Sequence, residues 1–193
     1  MESPTNIACV VLASGFGRRF GSNKLMHEFS QGKTLLSNSL EPLLNVFKSV
    51  YVVVQPEASR RISRIHHRLV TVPNLNAEQG MSQAIVAGVS ASASADGWLI
   101  ALGDMPLIKE RSINAVLAQY QSEKIVQPVH AGTPGNPVLF GSTFRGDLLS
   151  LQGDQGGKPI LQANQKSLVR VEVEDRGILY DVDRREDIEN LSL

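Results

Sequence analysis

Apolar positions along the chain fall into two rhythms. Short runs rich in β-branched residues, at about 6–12, 50–54, 69–72 and 97–102, have the length and make-up of strands. Between them, apolar residues recur at helical spacing over about 34–46, 57–67 and 80–94, the last fading into the small-residue run SASASAD. This alternation predicts four parallel strands joined by helical crossovers. The second half is less regular. It predicts a helix near 109–121, strands near 125–128 and 137–140, a helix near 156–164, a strand near 168–173 and a final helix from about 184. No internal repeat or long linker interrupts the pattern. The expected fold class is α/β: a three-layer α/β/α, Rossmann-like domain with a mostly parallel sheet, spanning 1–193 as one unit. Ligands of such sheets sit beyond the carboxyl ends of the strands.

Composition narrows where that ligand site must come from. The 193 residues carry 19 Lys plus Arg and 19 Asp plus Glu, so no global field draws nucleic acid or an anionic membrane, and any anion site is a local construction. Cys9 is the one cysteine, which excludes an internal disulfide and a multi-cysteine zinc site and is compatible with a cytoplasmic setting. Its place in an apolar run predicts a buried filler. The run IACVVLA reads as a buried first strand rather than a signal segment, because Glu2 and no Lys or Arg precede it. No stretch reaches the roughly 18 apolar residues of a membrane span.

The loop after that strand, within VVLASGFGRRFGSNKL, combines glycines and cations. A dinucleotide fingerprint G-x-G-x-x-G fails at its third position, where Phe20 replaces the glycine that lets helix and strand pack closely. A Walker loop fails as well: Gly32, Lys33 and Thr34 give its ending, but His27 stands where its first glycine belongs, so Thr34 reads better as a helix cap. What remains is a long loop whose backbone N–H groups wrap a nucleoside triphosphate.

At that point the residues resemble a known family. LASGFGRRFGSNK is similar to the L-A-A-G-x-S-x-R-M-G-x-x-K signature of nucleotidyltransferases related to molybdenum cofactor cytidylyltransferase. EQGMSQAIVAG, LGDMPLI, GTPGNPVLF, GDQGGKPIL and DVDRREDIENL resemble the family's further segments in the same order. Ser14, Gly17, Phe20, Asn136, Gly157 and Lys158 depart from the usual residues. The resemblance implies a nucleotidyltransferase fold with a nucleotide-binding half about 1–108 and an acceptor-binding half about 109–193. It implies CMP transfer from CTP to the terminal phosphate of a molybdopterin-type cofactor, with GMP transfer to the same acceptor, or CMP transfer to a sugar or polyol phosphate, as rivals. A nucleotide-binding accessory protein of a molybdenum enzyme is the reading outside catalysis. Implied partners are CTP or another NTP, a phosphorylated small-molecule acceptor, and a transient contact with a molybdenum enzyme or its chaperone.

Chemistry assigns roles to these residues. Gly15, Gly17 and Gly21 let the backbone approach phosphate, and Arg18 and Lys24 offer a planar fork and a point charge to the β- and γ-phosphates. Leu12, Ala13, Ser14, Gly80 and Ser82 complete the expected nucleotide site. Asp104, ending the apolar strand WLIALGD, is expected to hold Mg²⁺ with at most one carboxylate partner; the resemblance implies Asp183 for it, with Asp181 as fallback. Arg18, Lys24 and Asp104 are the expected catalytic residues, and the resemblance implies Asn136, Pro137, Asp154 and Lys158 as acceptor-binding ones. The arginines of SRRISRIHHRL read as a solvated basic face, and Trp98 as core.

Overall fold

A computed structural model describes residues 6–15, 24–28, 32–184 and 186–187. Among them eight strands form one sheet: β1 Ile7–Ala13, β2 Val50–Val54, β3 Leu69–Pro73, β4 Gly97–Leu102, β5 Ile125–His130, β6 Thr133–Pro134, β7 Val138–Gly141 and β8 Leu168–Glu172. The order is β3-β2-β1-β4-β7-β5-β6, with β8 also paired to β5. The pairs among β3, β2, β1 and β4 are parallel, as is β5 with β8, while β7 runs antiparallel to both β4 and β5.

Alternation along β1 sorts the layers. Cys9, Val11 and Ala13 join one core with Leu36, Leu40, Leu43 and Leu44 of α1 (Leu35–Val46) and Ile113 and Val116 of α4 (Glu110–Leu117). Ala8, Val10 and Leu12 face the other, with Ala84, Ile85 and Val89 of α3 (Met81–Ala91), Leu148 of α5 (Arg145–Leu149) and Ile160 of α6 (Lys158–Ala163). Helices therefore cover both faces, the three-layer arrangement that the apolar runs require. Gly88 allows α3 to lie close on β1: a Cβ there would meet Val10 Cγ1 at 2.2 Å. Cys9 is fully buried and burial pushes its thiol pKa up, so it packs as a small apolar residue. Trp98 is core, its Nε1 donating to Ser92 Oγ at 3.1 Å.

Three helices are markedly shorter than their patterns predict. The segment 57–67 gives a 3₁₀ turn at Pro56–Ala58 and then only α2, Ser59–Ile62. Ile62 is its single buried anchor, and Arg60, Arg61 and Arg64 repel one another at helical spacing while standing in solvent. At the end of α3, Ser92 Oγ donates back to Gly88 O at 2.7 Å, and the helix stops at Ala91 rather than near 94. The helix near 109–121 likewise ends at Leu117. The helix expected from about 184 falls mostly outside the described residues. Thr34 caps α1 in a reciprocal box with Ser37, at 3.1 and 2.8 Å, and Lys33 pairs with Glu41 at 2.9 Å on the surface, so these residues build a helix start, as the sequence predicts for Thr34. No helix among the described residues is long and apolar enough to cross a membrane.

Candidate functional site

The carboxyl ends of β1 to β4 open into a cavity of about 870 Å³. Because the local order is β3-β2-β1-β4, the residues after these strands line it in a row. A strand spacing of about 4.8 Å puts the end of β2 about 10 Å, and that of β3 about 14 Å, from the end of β4.

The β4 end is charged. Asp104 follows Gly103 beyond the strand, and the segment 181–183 crosses beside it. Val182 N donates to Asp104 O at 3.0 Å, and the fully buried Val182 packs on Leu35, so the flanking aspartates turn to the cavity. One carboxylate oxygen from each of Asp104, Asp181 and Asp183 lies within 4.8 Å of the others. Lys24 Nζ sits against them, 2.8 Å from Asp104 Oδ2 and 3.4 Å from Asp183 Oδ1. Burial works to lower the Lys24 pKa, but Asp104 and Asp183 together outweigh it and hold the ammonium above the usual lysine range. Asp181 is raised above the usual carboxylate range, first by burial and then by its two acidic neighbours. Asp104 Oδ1 is buried with no hydrogen-bond partner among the described residues. An orphaned buried carboxylate oxygen, converging with two more carboxylates at a cavity wall, fits a hard divalent cation that takes oxygen ligands.

The β2 and β3 end is uncharged at its floor. Gln55 Nε2 donates to Ser14 O at 3.3 Å, and Asn74 Nδ2 donates to Ser14 Oγ at 3.0 Å. Between the two ends stands the start of α3. Gly80 has φ +103°, and a Cβ there would lie 2.5 Å from Gly153 O, so only glycine lets the helix begin against the 153–154 loop. That loop caps the helix: Asp154 Oδ1 accepts from Met81 N at 2.9 Å and Gly153 O from Ser82 N at 3.2 Å.

Leu12, Ala13, Ser14, Gly15, Lys24, Gly80, Asp104, Asp154 and Asp183 all line this cavity. Asp181 stands beside Asp183, so the structure brings both aspartates to Asp104 rather than one of them. Gly17, Arg18 and Gly21 lie outside the described residues. Ser82 does not line the cavity: it is fully buried and its hydroxyl donates to Gln152 O at 3.1 Å. Asn136, Pro137 and Lys158 are not brought to the cavity either. Asn136 N donates to Ile178 O at 3.0 Å ahead of a cis Pro137, and Lys158 is exposed at the start of α6. Gln55 and Asn74 were missed by sequence reasoning: Gln55 directly follows the predicted strand at 50–54 and lines the cavity, while Asn74 lies two residues past the predicted strand at 69–72, directly after the observed β3, and is buried behind Ser14. Asp175 was missed too. It is 1% exposed and accepts from Lys109 N, Ser112 Oγ and Gly177 N at 2.8, 2.7 and 3.0 Å, tying the start of α4 to the segment that leads into the aspartate pair.

Known proteins resemble this chain in sequence and in fold. The family described as MobA-like NTP transferase domain matches residues 9–169. Purine catabolism protein PucB of Bacillus subtilis is 31% identical over 199 residues, covering 97% of this chain and 96% of its own. A probable molybdenum cofactor guanylyltransferase of Thermococcus kodakarensis is 26% identical over 201 residues, covering 94% and 92%. A nucleotidyl transferase from Methanothermobacter thermautotroptrophicus, Mth528, superposes with a TM-score of 0.81 at 20% identity over 97% of this chain and 96% of its own, a likeness of fold.

Proposed function

Because this chain belongs to the MobA-like NTP transferase domain family, we propose that it transfers CMP from CTP to the terminal phosphate of a molybdopterin-type cofactor and releases pyrophosphate. The observation that carries the reading is the division of the cavity into a cluster of three aspartates with Lys24 at β4 and a floor of neutral hydrogen-bonding groups, Ser14 and Gln55, at β2 and β3, with Glu78 on the wall beyond β3. A nucleoside triphosphate has the same polarity, with its phosphates at one end and its base at the other.

In the reaction an acceptor phosphate oxygen bonds to the α-phosphorus as the bond to the pyrophosphate oxygen breaks, and the catalyst's task is positioning and charge neutralisation. Asp104, Asp181 and Asp183 would hold Mg²⁺, which when bound supplies positive charge at the phosphates. Lys24 stands at the same spot and is kept protonated by its carboxylate neighbours, so it can meet the charge that collects on the leaving pyrophosphate. Arg18 is the second proposed cation for the phosphates. Leu12, Ala13, Ser14 and Gly15, at the end of β1, form the floor along which the nucleotide lies. Of the four acceptor candidates Asp154 alone reaches the cavity, so the acceptor is proposed to enter past the 153–154 loop.

GMP transfer to the same acceptor is the second reading, favoured by the name of the Thermococcus kodakarensis relative. Pyrophosphate release, followed for each of the four NTPs with Mg²⁺ and a molybdopterin-type acceptor, tests both. The proposal expects CTP to be fastest and CMP to be found on the acceptor. Preference for GTP would overturn the cytidine assignment, and a wild-type rate in Asp104→Asn would overturn the catalytic site.

A further inference from the structure

Two stretches of chain run past each other in opposite directions beside the aspartate cluster. One leaves the β4 end as 104–112, and the other is 175–182. Asp104 O accepts from Val182 N at 3.0 Å, Gly177 lies against Leu107 O, and Asp175 Oδ2 accepts from Lys109 N at 2.8 Å and from Ser112 Oγ at 2.7 Å. The contacts pair 104 with 182, 107 with 177 and 109 with 175, so together they fix a register. Asp104 belongs to one stretch, while Asp181 and Asp183 sit at the end of the other. How the three carboxylates face one another therefore depends on that register.

Asp175 is placed to set it. The residue is 1% exposed and does not line the cavity. Its two oxygens serve the two stretches: Oδ2 holds the start of α4, and Oδ1 accepts from Gly177 N at 3.0 Å. Gly177 is a point of close approach, where a Cβ would lie 2.1 Å from Leu107 O and 2.9 Å from Asp175 Oδ1. The chain then passes through the 3₁₀ turn Arg176–Leu179 and reaches Asp181 four residues beyond Gly177. So short a span passes a displacement at Gly177 on to the aspartates. Two other ties act elsewhere. Asp187 Oδ2 accepts from Asp183 N and Arg184 N, which shapes the turn after the aspartates, and Asn136 N donates to Ile178 O, which holds the stretch against the segment after β6. Neither reaches 104–112. The three donors to Asp175 are neutral, and an ionised acceptor binds such donors more strongly than an amide oxygen does.

We infer that Asp175 is a positioning residue for the divalent cation: by fixing the register of 175–182 on 104–112, it sets Asp181 and Asp183 against Asp104 at the spacing a cation needs. This rests on the reading of the aspartate cluster as a metal site. Hard divalent cations hold their oxygen ligands at about 2.0–2.6 Å, so ligands drawn from two stretches tolerate little slippage between them. Groups that orient metal ligands from behind typically cost about 10–100-fold in metal affinity when they are changed.

Mn²⁺ titrations of the full chain, with free Mn²⁺ counted by electron paramagnetic resonance at a temperature where circular dichroism shows every variant folded, read this out. Asp175→Asn weakens the joint and also deletes a charge. Gly177→Ala displaces the same joint and leaves every charge in place, and Ser112→Ala removes one donor and no charge. The first two are expected to raise the Kd for Mn²⁺ by about tenfold or more, and Ser112→Ala to raise it by a smaller factor. Leu43→Ala, in the buried face of α1 and outside the site, lowers stability by leaving a cavity and should keep the Kd within about twofold of wild type. Unchanged Kd values in Asp175→Asn, Gly177→Ala and Ser112→Ala overturn the proposal and leave the metal site standing. Weakening confined to Asp175→Asn overturns it as well, since lost charge then suffices, as does an equal weakening in Leu43→Ala, which would mark general loosening. Wild type that binds no Mn²⁺ contradicts the metal site itself, and the positioning role with it.

Discussion

Lys24→Met removes the ammonium that faces three carboxylates and keeps most of the side-chain length. Lys24 is 11% exposed, Asp104 22% and Asp183 49%. At 2.8 Å the Lys24 to Asp104 attraction is about 6 kcal/mol at an effective dielectric of about 20 and about 1.5 kcal/mol in water. The half-exposed Asp183, farther away at 3.4 Å, is screened and adds little. Desolvation of the lysine offsets part of the gain, so the variant is expected to lose about 2–3 kcal/mol with EDTA present. For a chain of this size that lowers Tm by about 4–12 °C. Lys24 has a folded pKa above its unfolded value, so its contribution is full below about pH 10 and is lost only as pH rises through the folded value. The deficit should therefore be constant from pH 6 to 9. Mn²⁺ should recover it, because a cation at the aspartates replaces the missing charge, and metal bound at a hundredfold excess over Kd adds about 2.7 kcal/mol. Thermal melts of both proteins in EDTA and in Mn²⁺ make the comparison. Equal Tm values in EDTA, or weaker metal protection of the variant than of wild type, would show that Lys24 does not neutralise the cluster.

Three further perturbations test other parts of the site. Asp181→Asn should stabilise the metal-free protein at neutral pH, since the folded pKa of Asp181 is raised; the gain should fade in urea titrations as pH falls through that raised value towards the unfolded one, where both states are protonated. Gly80→Ala forces a side chain into a φ of +103° and against Gly153 O, and should cost about 2–4 kcal/mol in chemical denaturation while leaving the aspartate cluster in place. Asp175→Ala strands three donors and should cost about 3–5 kcal/mol, with Asp175→Asn costing less because it keeps an acceptor oxygen.

Much of this protein is legible in its amino-acid sequence. The β-branched runs located all four strands that carry the cavity: β1, β2 and β4, buried on both faces, have no alternative to a continuous apolar sequence, and the edge strand β3 keeps the same β-branched make-up although Val70 is exposed. Asp104 was legible for the same reason: a carboxylate ending such a run has nowhere to go but the carboxyl edge of the sheet. The basic segment 57–67 misled because helical spacing says nothing of whether enough apolar surface lies beneath, and Ile62 alone does not suffice to hold three turns. Ser82 lies off the cavity because a hydroxyl beside a cavity-lining glycine can equally satisfy a neighbouring loop carbonyl, here that of Gln152. The contacts of Asn74 with Ser14, 60 residues apart, and of Asp175 with Ser112, 63 apart, arise from sheet order and loop packing, which no local pattern encodes.

Everything proposed for this cavity depends on a nucleoside triphosphate lying in it with its phosphates at the β4 end and its base at the β2 and β3 end. A crystal structure with CTP and Mn²⁺, read by the anomalous signal of manganese, decides the matter. Manganese is expected among Asp104, Asp181 and Asp183, with the triphosphate beside it, Lys24 on the phosphates, and the cytosine against Ser14 and Gln55. Manganese bound elsewhere, or a nucleotide lying with its base at the aspartates, would overturn that orientation.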